Sequence, residues 1–147
     1  MDRKPLGFLV SLALRDTIRP REVLSYLATK RSHASWAVMA EEIRGYTGTC
    51  GFGNVSNPLY NSLIAAGNQA LYQDGKGCGQ WYLVKCNSNP RCTGNPIKIH
   101  ITDECSGVCN NVPVWFELSE IAFGALAEPG QADALRIVGK IQISYQK

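Results

Sequence analysis

The chain has 147 residues, 45% of them hydrophobic and 18% charged, with a formal net charge of +3; this fits one globular domain with its own core. The charge is uneven, because residues 1–35 hold seven Lys/Arg against three acids and the remainder holds eight against nine. No nucleic-acid partner is expected, since that would need a basic face on the folded part, and no transmembrane span, since the apolar run Leu6–Leu14 is about half the ~20 residues a bilayer requires.

Residues 1–35 read as a leader or arm: apolar, then basic, then Ser/His/Ala, with Arg21–Thr29 able to form a short helix. Met1-Asp2-Arg3-Lys4 before the apolar run partly resembles a secretory signal. No small-x-small cleavage site follows, however, and Arg15, Asp16, Arg19, Arg21 and Glu22 stand where the cleavage region belongs. Residues 36–147 form the domain. Trp36–Ala40 suits a strand or the start of a helix, and Gly45, Gly48, Gly51 and Gly53 punctuate a loop around Cys50. Asn57-Pro58 followed by Leu59, Leu63 and Ile64 predicts a short helix, with Asn57 as cap, Pro58 at the first position and Gly67 at the end. After the turn-rich Asp74–Gly77, Gln80–Cys86 is aromatic and β-branched enough for a strand, and Asn87–Pro96 reads as a loop tied across Cys86 and Cys92.

Ile97, Ile99 and Ile101 alternate with Lys98, His100 and Thr102, the period of a strand with one buried face, and Asp103 falls where that strand stops. Cys105 and Cys109 are close enough to staple the next loop and bring Glu117 back toward Asp103. Two such acids suit hydrolysis of a sugar linkage, although acids this far apart in sequence are more often solvated surface charges. Ser119 can cap a helix over Glu120–Ala127 that Pro129-Gly130 terminates. Leu135–Val138 and Lys140–Tyr145, broken by Gly139, read as a final strand pair. Short strands, two short helices and no βαβ rhythm predict an all-β fold with short helices, a small closed barrel. The sequence carries no internal repeat.

Six cysteines lie between positions 50 and 109, an even count in a Gly-rich context that points to disulfides and an oxidising compartment. Zinc competes with that reading, but no Cys-x-x-Cys occurs and neither His33 nor His100 has a second His at ligand spacing. No metal and no cofactor are therefore expected. Tyr46, Trp81 and Trp115 are candidate sugar-stacking platforms, although aromatic rings in a small barrel are more often core. Asn54-Val55-Ser56 is a glycosylation sequon, meaningful only in a secreted chain.

Four blocks carry a resemblance: Thr49-Cys50-Gly51-Phe52-Gly53-Asn54-Val55, the run Ala66–Gly79, Ile101-Thr102-Asp103-Glu104-Cys105, and Phe116–Ala127. In order and over about residues 46–147, they resemble the first domain of a plant beta-expansin. The resemblance implies a six-stranded double-psi β-barrel, related to family-45 endoglucanases and barwin-like proteins, in secreted extracellular proteins that loosen plant cell walls without measurable hydrolysis. The family's Thr-Asp at the end of the central strand maps onto Thr102 and Asp103, and its His-Phe-Asp motif onto Trp115-Phe116-Glu117. The Asp of that motif corresponds to the general acid of the related endoglucanases, so Glu117 keeps the acid one methylene further out. Thr102, Asp103, Trp115 and Glu117 would line a groove for cellulose, xylan or mixed-linkage glucan, in a protein expected to be a monomer.

The family's Cys-Gly-Ser-Cys becomes Cys78-Gly79-Gln80-Trp81, and the usual partner of the lost cysteine is absent after the last strand. The pairing implied is Cys50 with Cys78, Cys86 with Cys92, and Cys105 with Cys109. Of the family's Thr-Trp-Tyr-Gly strand and Asp-bearing loop, Ser35-Trp36 and Gly45-Tyr46-Thr47-Gly48 remain, without the Asp, and the second, immunoglobulin-like domain has no counterpart. Nonenzymatic wall loosening is the leading expectation. The alternatives are a truncated, inactive copy and a weak glycoside hydrolase using Asp103 and Glu117.

Overall fold

In the computed structural model, which describes residues 35–40 and 48–147, the alternating segments become the strands of a single sheet. The expected leader, apart from Ser35, and Tyr46 lie outside the described residues. The strands are β1 Ser35–Met39, β2 Ile64–Gly67, β3 Trp81–Lys85, β4 Ile97–Glu104, β5 Val114–Leu118, β6 Lys140–Gln142 and β7 Ser144–Gln146. Their order is β6-β1-β5-β2-β4-β3-β7, with β1–β5 and β2–β4 parallel and the other neighbours antiparallel.

β6 and β7 stand at opposite ends of this order, yet only Ile143 separates them. The last stretch of chain pairs with β1 before Ile143 and with β3 after it. Ile143 is buried, and its N–H donates to the Ser35 carbonyl at 2.9 Å. The expected sixth strand, Lys140–Tyr145, is thus bent into two short ones, and the bend closes the sheet on itself. The architecture is the all-β barrel with short helices that the sequence predicts, with seven strands in place of six.

Ala65, Tyr82, Val84, Ile99, Ile101, Phe116, Leu118, Ile141 and Ile143 fill the interior. Each large apolar side chain taken fully out of water contributes about 1.5–3 kcal/mol. Three helices, α1 Gln69–Tyr72, α2 Glu120–Ala125 and α3 Ala132–Val138, pack around the sheet. The predicted cap holds: Ser119 Oγ accepts from the Ala122 N–H at 3.0 Å, and its hydroxyl donates to the Ser62 carbonyl at 2.6 Å. The disulfides are Cys50–Cys78, Cys86–Cys92 and Cys105–Cys109, and no cysteine is free.

Two expected elements are replaced. The helix predicted from Asn57 to Gly67 is a series of turns followed by β2. Asn61 and Ser62 adopt φ of 50° and 59°, left-handed values that a right-handed helix cannot contain, and β2 takes ladder bonds from β4 and β5 on its two sides. The strand predicted at Leu135–Val138 is part of α3. Only Leu135 of that run is buried, whereas Ile137 is 86% exposed, so there is no strand face to cover. Gly139 at φ 77° ends the helix, with its N–H donating to the Leu135 carbonyl.

Candidate functional site

Val114, Phe116 and Leu118 of β5 point into the barrel, so Trp115 and Glu117 point out. The register extends that outer face across five strands. Lys140, Val38, Glu117, Ala66 and Asp103 form one row, from β6 through β1, β5 and β2 to β4, and Gln142, Trp36 and Trp115 form the next. At ~4.8 Å per strand the first row is about 19 Å long, with the Cα atoms of Asp103 and Glu117 about 10 Å apart on either side of Ala66.

Asp103 reaches this face through an irregularity in β4. Ala65 pairs with Ile101 but Ala66 pairs with Asp103, so Thr102 is skipped. Thr102 itself is buried and does not join the face; its carbonyl accepts the Cys50 N–H at 3.2 Å. The Asp103 carboxylate is engaged by backbone, Oδ1 accepting from Thr49 N–H at 3.0 Å and Glu104 N–H at 2.8 Å. Gly48 lies directly against it: a Cβ there would run into the Thr102 carbonyl oxygen and come within 2.7 Å of Asp103 Cβ. Cys50–Cys78 anchors the same loop to the barrel.

Glu117 has a different environment. It is half-buried and makes no side-chain hydrogen bond among the described residues, and its carboxylate lies within 4.8 Å of both sulfurs of Cys105–Cys109. Beneath it Ala66, Cys105 and Cys109 form a small apolar floor against which Trp115 packs. Burial raises the pKa of Glu117 above the ordinary carboxylate value, and the nearby charge of Asp103 raises it further. Such a group keeps its proton to higher pH than a surface glutamate does. The two sulfurs are bonded to each other, so this cluster offers a carboxylate over a disulfide and no thiolate donor set for a metal.

Trp36 and Lys140 join the face although sequence reasoning did not single them out as site residues. Lys140 Nζ lies 4.5 Å from the centroid of Trp36 and 5.2 Å from that of Trp115. Trp115 Nε1 is buried without a hydrogen-bond partner among the described residues. The alternation of Lys140-Ile141-Gln142 was the available signal, but which strand Lys140 would face is not written in it.

Trp81 belongs to another neighbourhood, separated from Trp115 in the sheet by β2 and β4. It is 40% exposed, pairs with His100 across β3–β4 and has Lys98 Nζ 4.5 Å over its ring. Tyr60 meets His100 edge-on at 5.2 Å, and Phe52 stacks on Tyr60 at 5.8 Å. Burial lowers the pKa of His100, and Lys98 lowers it further. Asn54 is exposed on a turn, its Oδ1 accepting from Ser56 N–H and Oγ–H.

Among the described residues, no helix is long and apolar enough to cross a membrane. A double-psi β-barrel family model described as "Lytic transglycolase" matches residues 64–145. Expansin-B4 of Arabidopsis thaliana is 48% identical over 102 residues, and Expansin-B11 of Oryza sativa subsp. japonica is 44% identical over 102. Each alignment covers 68% of this chain but only 39% and 35% of those proteins, so the chain spans roughly two-fifths of the relatives it matches. A crystal structure of a Clavibacter michiganensis expansin variant in complex with cellohexaose superposes with a TM-score of 0.56 at 24% identity, covering 78% of this chain and 48% of that one. That likeness concerns the fold.

Proposed function

The chain belongs to the plant expansin family, matching its first, double-psi β-barrel domain, and we propose that it loosens plant cell walls by holding a wall polysaccharide on the face formed by Trp36, Trp115, Glu117 and Asp103. It disturbs noncovalent contacts between polysaccharides and cuts no bond. The polymer is cellulose, xylan or mixed-linkage glucan, and the place of action is outside the cell, where the three disulfides are stable and Asn54 is open to glycosylation.

The observation that carries this reading is the unequal state of the two acids. Glycoside hydrolysis needs an acid and a second carboxylate free to act as base or nucleophile. Glu117 can serve as the acid, whereas Asp103 is fixed against the loop by two backbone N–H groups on Oδ1 and has only Oδ2 left for a second role, and the sequence before Cys50, Gly45-Tyr46-Thr47-Gly48, has no Asp. The indole faces of Trp36 and Trp115, side by side in the register, give a sugar ring apolar surface next to the half-buried Glu117 carboxyl.

The second reading, a weak hydrolase, rests on spacing: Cα atoms about 10 Å apart are compatible with the ~6.5–9.5 Å carboxyl separation of inverting enzymes. Incubation with the three polysaccharides separates the two. No reducing sugar above a Glu117→Gln control is expected, while retention on insoluble polysaccharide should be weak and fall further in Trp115→Ala. Sugar release that disappears in Glu117→Gln would favour the hydrolase.

A further inference from the structure

We propose that Lys140 is a built-in competitor for the aromatic surface: its ammonium occupies the space a sugar ring must enter above Trp36 and Trp115, and so sets the affinity of this face for neutral glucan. The inference rests on the reading of that face as the glucan-holding surface.

The placement follows from the chain itself. Gly139 ends α3 and turns the backbone into β6, where Ile141 enters the core and Lys140 and Gln142 face outward. Lys140 then lies opposite Val38, and Trp36 stands two residues along the same outer face of β1. The long flexible stem leans along the strand and sets the ammonium 4.5 Å from the Trp36 centroid and 5.2 Å from that of Trp115. Glu117 pairs with the same Val38 from the other side, yet Lys140 forms no ion pair among the described residues. The cation rests on the two rings instead.

Trp115 leaves a ligand little other surface. Its ring packs against the floor of Ala66, Cys105 and Cys109, so a sugar must approach from the solvent side, the side Lys140 overlies. A cation over an indole and the C–H face of a sugar use the same electron-rich surface, and both cannot occupy it. Neutral glucan must therefore displace the ammonium into water and forfeit its attraction to the rings. At an exposed site that attraction corresponds to about a twofold to fivefold change in affinity.

The test uses the full chain, cellohexaose as soluble probe and microcrystalline cellulose as insoluble one. Lys140→Ala removes both the charge and the stem that covers the rings, and it should bind both probes about twofold to fivefold more tightly. Lys140→Arg, which keeps a cation that stacks well on indoles, should gain nothing. The indole NMR signals of Trp36 and Trp115 should shift in Lys140→Ala before any sugar is added, which reports the contact independently of binding. Weaker binding by Lys140→Ala would make Lys140 a direct sugar ligand and overturn the proposal. Unchanged binding by Lys140→Ala, with a loss in Trp115→Ala, would also overturn it while leaving the glucan face intact. Unchanged binding in both variants would overturn the glucan face itself.

Discussion

The two ends of the Glu117–Ala66–Asp103 row place the same functional group in opposite circumstances. At the β4 end the Asp103 carboxylate accepts from two backbone N–H groups and is pressed by Gly48, in a loop held by Cys50–Cys78. At the β5 end Glu117 has no hydrogen-bond donor among the described residues, and a disulfide and an indole lie around it. A carboxylate tied through one oxygen to the backbone helps hold a loop in place, whereas a partly desolvated one without such bonds has its proton affinity changed. Sharing one face of a sheet therefore does not make two acids a catalytic pair.

The strongest way to break this contrast is to release the loop. Replacing Cys50 and Cys78 together by Ser should cost about 2–5 kcal/mol in denaturant unfolding, because the crosslink restricts the unfolded chain and the loop has little core of its own. On that background Asp103→Ala should cost less than it does alone, since its partner Thr49 is already loosened. Full additivity would show that the disulfide and the Asp103 clamp act independently.

Asp103→Ala alone should lower stability by about 1–2 kcal/mol, the scale for hydrogen bonds to a charged acceptor near the surface. Asp103→Asn should lose less than half of that, because an amide oxygen still accepts from Thr49 and Glu104. If Asn proved as damaging as Ala, negative charge at this position would matter more than the hydrogen bonds, and the structural role assigned here would fail.

The smallest effect is expected at Glu117, with the opposite sign. A carboxyl whose pKa is higher in the folded than in the unfolded state binds more protons when folded between the two values. Its contribution to stability therefore falls as pH rises through a window that begins at about 4.3. Burial first and Asp103 second raise the Glu117 value, so Glu117→Gln should melt slightly higher than the parent at neutral pH. The gap should close as pH drops below about 4. A Gln variant less stable at neutral pH would mean that Glu117, like Asp103, is held by interactions that favour its charge.

Much of the barrel is legible in the sequence wherever a short-range rule has no rival. The isoleucines of Ile97–Ile101 can bury only one face of a strand, and Ser119 is well placed to cap the helix after it. Asn57-Pro58 and Leu135–Val138 mislead because their local preferences are real but weak. Ladder bonds from two neighbouring strands draw Ile64–Gly67 into the sheet, and α3 docks through the inward Leu135 and through Arg136, whose Nε–H donates to the Glu120 carbonyl.

The site depended on tertiary structure almost throughout. Trp36 and Trp115 are 79 positions apart and meet only because β1 and β5 pair in parallel at one register; Lys140 reaches them only because β6 pairs antiparallel with the other side of β1. Asp103 faces outward because β4 skips Thr102 against β2. Residue types and alternation are properties of neighbouring positions and can be read along a chain. Register, closure and bulges are set by packing and hydrogen bonding between segments far apart in sequence, and a shift of one residue in any of them would turn these side chains to the other face.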